Sequence, residues 1–114
     1  MRLRNAVLAA AAAVALAVAL PSSAMAATGE FRYTYADADG YEHPGLLFYP
    51  PSGECINLPG AESDDQEPAY APKNGTRSTA TVFLDADCAG ETYFVLRPGG
   101  GASERLLMHS VVFS

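Results

Sequence analysis

The sequence predicts an all-β domain, a small sandwich of two sheets stapled by one disulfide. Two observations predict it. Short apolar runs recur along the chain between Pro- and Gly-rich punctuation, a spacing that belongs to sandwiches and barrels. The chain also holds only two cysteines, Cys55 and Cys88, both in its later part. Beyond Pro21, no stretch repeats apolar residues at helical spacing.

The N-terminus reads as a targeting segment rather than as part of that domain. Arg2 and Arg4 supply a positive start, residues 6–20 are an unbroken apolar run of 15, and Pro21 ends it. Ala24-Met25-Ala26 then has the small-x-small form that a signal peptidase reads. The run is short of the roughly 20 apolar residues a spanning helix needs. Residues 1–26 are therefore expected to be a secretory signal peptide, and residues 27–114 a single secreted, extracellular domain. No Cys follows the apolar run to take a lipid, so no membrane attachment is expected after cleavage.

The expected strands follow in order. Phe31, Tyr33 and Tyr35 alternate with polar neighbours, the period of a half-buried strand. Residues 45–49 form an apolar run ended by Pro50-Pro51, and residues 54–58 a second one ended by Pro59-Gly60. Residues 79–84 are β-branched and apolar. Residues 91–97 contain Tyr93, Phe94, Val95 and Leu96 and stop at Pro98 and three glycines. Residues 106–108 and 110–113 close the chain, for six or seven short strands in all. Residues 61–75 hold Glu62, Asp64, Asp65 and Glu67 with the breakers Pro68, Pro72 and Gly75, and are expected to be a long surface loop.

The two halves repeat. A shift of 48 residues brings Tyr35 onto Phe83, Asp37-Ala38-Asp39 onto Asp85-Ala86-Asp87, Leu46-Leu47-Phe48 onto Phe94-Val95-Leu96, and Pro50 onto Pro98. An internal duplication explains an aromatic, an acidic turn, an apolar strand and its punctuation recurring in one order.

Removing 26 of the 114 residues leaves 88, with 5 basic and 13 acidic side chains and a net charge of −8. That balance makes nucleic acid and anionic membrane poor partners and suits a cationic surface or a metal cation. Two cysteines in a small exported domain read as a disulfide.

Phe83-Leu-Asp-Ala-Asp-Cys-Ala-Gly90 resembles the opening of a βγ-crystallin Greek key, with Cys88 in place of its second aromatic residue. Residues 93–96 resemble the strand that follows, and Ser110-Val111-Val112-Phe113 the closing serine and last strand. The resemblance covers roughly residues 81–113 and reaches the first half only through the repeat, where Glu42 falls on Gly90. It implies a β-sandwich of two Greek keys, with Phe83, Gly90 and Ser110 as structural residues. Small exported bacterial proteins of this type include protease inhibitors and killer-toxin-like proteins.

The resemblance also makes Ca²⁺ the candidate cofactor. Asn74-Gly-Thr-Arg-Ser78-Thr79 is similar to the family's calcium segment, with Gly75 replacing a ligand-bearing residue. Asp37, Asp39 and Glu42, and Asp85 with Asp87, offer further oxygens for a cation that needs six to eight. Catalysis is not expected. His109 and Ser110 are strand neighbours pointing to opposite faces, His43 precedes Pro44, and no Gly-x-Ser-x-Gly elbow exists. Asn74-Gly-Thr76 has the form of a glycosylation acceptor that is expected to stay unmodified. Tyr41 and Tyr70, placed in expected loops, are the interface candidates. The expected role is a non-enzymatic protein that binds an extracellular protein, an exported protease inhibitor being its most specific form. Its contact loop would be 61–75 or 98–103. A calcium-binding structural or stress protein and a toxin-like or cell-wall-directed factor are the alternatives.

Overall fold

The computed structural model describes residues 26–114, so the expected signal segment, Ala26 excepted, lies outside the described residues. Eight strands form: β1 (Gly29–Ala36), β2 (Glu42–Phe48), β3 (Ile56–Asn57), β4 (Ala69–Thr76), β5 (Ala80–Phe83), β6 (Tyr93–Leu96), β7 (Leu107–Met108) and β8 (Ser110–Phe113). They make two four-stranded antiparallel sheets, ordered β2-β1-β4-β7 and β3-β8-β5-β6. A short 3-10 turn (Ala86–Cys88) interrupts the β5–β6 connection, and the described residues hold no α-helix.

The two sheet orders are related by the internal repeat. Strands β1 to β4 correspond to β5 to β8, and each Greek-key unit gives its third strand to the other's sheet. Thus β3 pairs with β8, and β7 with β4. The step of the repeat differs from the expected 48. Tyr33 opposes Gly45 and Phe31 opposes Leu47 in the first hairpin. Val82 opposes Phe94 and Ala80 opposes Leu96 in the second, each residue 49 positions later. A shift of 48 would set buried Tyr33 on half-buried Thr81 and half-buried Thr34 on buried Val82. Strand side chains alternate with period two, so a slip of one residue exchanges core for solvent. The sequence match follows the Asp-Ala-Asp triplets, which enter their two turns one position apart.

Half of the expected 61–75 loop is a central strand. β4 runs between β1 and β7, with Ala69, Pro72, Asn74 and Thr76 buried. Its inward residues are small or polar, so no apolar alternation marks it. Pro72 sits where the β1–β4 register shifts, beside Ala71 at φ 53°, a bulge that tolerates the missing N–H.

The core lies between the sheets. Phe31 of β1 meets Phe113 of β8 edge to face, ring centres 5.5 Å apart. Leu58, Met108, Val82 and Val111 fill the space around them. Tyr33 lies over its cross-strand partner Gly45, whose missing side chain makes room for the ring, and donates its hydroxyl to the Pro59 carbonyl at 2.7 Å.

Cys55 and Cys88 form a disulfide with Cα atoms 5.9 Å apart. It fastens the chain entering β3, an edge strand given by the first unit, to the 3-10 turn of the second. Closing a span of 33 residues removes unfolded-state entropy, which chain-entropy bookkeeping sets at roughly 3–4 kcal/mol. The Cys55→Ser/Cys88→Ser variant is expected to lose about 3 kcal/mol in urea unfolding. An unchanged midpoint and slope would remove the staple from the account of stability.

Candidate protein-binding surface

Three neighbouring segments at one end of the sandwich, 37–42, 60–68 and 84–92, carry ten of the 13 carboxylates and no Lys or Arg. They are joined directly. The Ala86 N–H donates to Asp64 at 2.8 Å, and a groove between the first two is lined by Tyr35, Asp37, Gly60, Asp65 and Glu67.

The first segment is a hairpin turn ordered by Asp37. One carboxylate oxygen accepts the N–H groups of Asp39 and Tyr41 at 2.9 and 3.0 Å, and the other lies 2.7 Å from His43 Nε2. The His43 ring stacks on Tyr35 with centres 5.3 Å apart. The bond to His43, then those to the backbone, hold the Asp37 carboxyl below its ordinary range. The turn thrusts Tyr41 outward, 68 % exposed. Tyr70 lies on β4 rather than in a loop and donates its hydroxyl to Glu42 at 2.7 Å, a bond that raises its own pKa.

The second segment is wound on its own side chains. Glu62 accepts the Gly60 N–H, Gln66 accepts the Ser63 N–H, and both ring nitrogens of buried His109 face carbonyl oxygens, of Leu84 and Gln66. The Gly60 bond holds the Glu62 carboxyl below its ordinary range.

The third segment folds back over Ser110. Ser110 Oγ donates to the Asp85 carbonyl at 2.6 Å and accepts the Cys88 N–H at 2.8 Å. Asp87 and Asn57 exchange two bonds, at 2.7 and 2.8 Å. Asp87 and Cys88 both have left-handed backbones, at φ 61° and 52°, so these ties hold a turn that L-residues resist. Gly90 is also left-handed, at φ 80°, and a Cβ there would overlap the Asp85 carboxylate. Phe83 stacks at a tilt against Tyr93 on the outer face.

The calcium candidates are not brought together. Asn74 is fully buried on β4. Its amide nitrogen donates to the carbonyls of Ser78, Leu96 and Arg97, at 2.8 to 3.2 Å, and its oxygen accepts from the Thr76 N–H and hydroxyl. The Asn74 oxygen and the Ser78 carbonyl are thus already engaged, and burial also closes the glycosylation acceptor. Asp37 engages both carboxylate oxygens and Asp87 one in the bonds above, while Asp39 and Glu42 stand on the first hairpin and Asp85 on the second. Among the described residues, no three His, Cys, Asp or Glu side chains form a metal-holding group.

Both expected contact loops are tied down in part, 61–68 by the bonds of the second segment above. In 98–103, Gly99 donates to the Asn74 carbonyl, Gly100 accepts the Asn74 N–H and Ala102 donates to Pro72, which zips the loop along β4. The projecting pair is elsewhere. Phe48 and Tyr49, at the end of β2, are 66 % and 61 % exposed. Tyr49 is left-handed at φ 43°, held by its N–H to the Gly29 carbonyl at 2.9 Å, while buried Pro50 accepts the Ala27 N–H at 2.7 Å. Two aromatics before Pro50-Pro51 were the available signal, with Phe48 on the outward parity of β2.

Comparison of the chain with protein-family models, with curated proteins and with solved structures finds no match in any of the three.

Two outcomes test this geometry. In a carboxyl-carbon NMR titration Asp37 should titrate below 3.8, its ordinary value. The ionised form accepts the three bonds, so their stabilisation is complete above the unfolded value and fades as pH falls through the lowered folded one. Asn74→Asp would aim a carboxylate at three carbonyl oxygens, and at neutral pH it should cost about 3 kcal/mol or more in urea unfolding.

Proposed function

We propose that this chain is a small exported protein that acts by binding another extracellular protein, without catalysis, through a surface centred on Phe48 and Tyr49. The carrying observation is that two large aromatic side chains stand exposed on a backbone held rigid from both sides. Aromatic anchors of this kind dominate binding energy, and a preordered backbone lowers the entropy lost on association. The acidic end would draw in a cationic partner and raise the association rate. Inhibition of an extracellular protease is the most specific version. The βγ-crystallin-like reading supports it, and the strand exchange between units and the Ser110 ties support that reading in turn.

The test is a pull-down from culture medium together with inhibition assays on a panel of extracellular proteases. We expect one partner to be retained, and the Phe48→Ala/Tyr49→Ala variant to bind it about a hundredfold more weakly or worse, since two anchors at about 1.5 kcal/mol each give that factor. Equal binding by that variant would move the contact elsewhere. Absence of inhibition across the panel would remove the inhibitor version, and no retained protein the binding reading itself.

A further inference from the structure

We propose that β6 is a self-complementary edge through which two copies of this chain join, continuing the second sheet across a two-fold axis at Phe94. This surface lies on the other sheet from Phe48 and Tyr49 and stands independently of their role.

The two sheets have four edge strands, and three of them are poor templates for pairing. β3 and β7 have two residues each, and β2 carries Pro44 and Gly45. β6 reads Tyr-Phe-Val-Leu, with no charge, proline or glycine, and its first three residues are exposed. Soluble proteins normally blunt such an edge.

The hydrogen-bond phase leaves the correct groups free. Leu84 donates to the Thr92 carbonyl at 3.0 Å. Alternation then turns the backbone groups of Thr92, Phe94 and Leu96 toward β5, and those of Tyr93 and Val95 off the sheet. An antiparallel copy centred on Phe94 sets Tyr93 opposite Val95 twice, closing four backbone hydrogen bonds. On the outer face, each Tyr93 ring then covers a Val95, a favoured aromatic to β-branched pair.

Charge selects this register among those the phase permits. Glu91 and Arg97 flank the strand, each two residues from Tyr93 and Val95 respectively, and both are exposed. With the axis at Phe94, each Glu91 falls opposite the other copy's Arg97. Neither has an ion-pair partner among the described residues. Moving the axis to Tyr93 or Val95 breaks both pairs. In a domain of net charge −8 once residues 1–26 are removed, this strand is a place where two copies meet with charges matched.

Sedimentation velocity on the oxidised chain tests the proposal, and a monomer–dimer equilibrium is expected in the micromolar range. Val95→Pro removes an N–H that the monomer does not use, so it should abolish the dimer and leave the circular dichroism and melting intact. Glu91→Arg or Arg97→Glu alone should weaken the dimer about tenfold by setting like charges opposite each other at two positions. The double exchange should restore it. A monomer at every concentration, a dimer indifferent to Val95→Pro, or a double exchange no tighter than the single ones would each overturn the proposal.

Discussion

The fold depends on the pinning of one folded hairpin, residues 84–92, over the start of β8. Two consecutive left-handed residues there resist their own backbone, and three ties override them. Ser110 grips the Asp85 carbonyl and the Cys88 N–H, Asn57 grips Asp87, and the disulfide grips Cys88 itself. Asn57 and Cys55 belong to the first unit, so the same ties that stabilise the turn fasten β3 across to the second sheet. Local strain and long-range strand exchange are thus one constraint. Neither unit completes a four-stranded sheet without the other's third strand.

Where that constraint left a mark in composition, the sequence could be read. Phe83, Gly90 and Ser110 stand out because a folded hairpin needs a residue without Cβ and a short hydroxyl beneath it. The cysteine pair and the apolar strands were legible for equally direct reasons. β4 was not, because its inner face uses Ala69, Pro72, Asn74 and Thr76, whose burial rests on hydrogen bonds and a bulge rather than on hydrophobicity. Asn74 occupies the place that Phe113 takes in the second unit, opposite Phe31 as Phe113 is opposite Ala80. A polar residue there reads as a ligand or a loop until its five bonds are seen.

The candidate surface was legible in part. Tyr41 was found because an aromatic inside an acidic turn has no strand to serve. Tyr70 was placed in a loop for want of the β4 pattern. Phe48 and Tyr49 read only as the end of an apolar run, since such a run does not say which of its residues face inward. Only the pairing register settles it, by setting Gly45 and Leu47 inward and Phe48 outward. The acidic side chains expected as calcium ligands form no group of three among the described residues. Asp37 instead caps two backbone N–H groups, the commonest duty of Asp in turns, while Glu42 and Asp87 accept from side chains.

The difference between the two edge hairpins follows from how each unit divides one volume of core. In the first, Tyr33 reaches in from the central strand and its partner Gly45 leaves the edge strand thin. In the second, the equivalent pair is Val82 with Phe94, so the bulk is carried by the edge. A large side chain on an edge strand has core on one side only, and Phe94 remains about half exposed at 47 % although it points inward. Glycine and proline on β2 weaken that edge as a template, whereas β6 keeps an unbroken apolar strand and its free backbone groups. The halves share a topology, yet the exchange of large and small between two facing positions gives one half an interrupted edge and the other an unbroken apolar one.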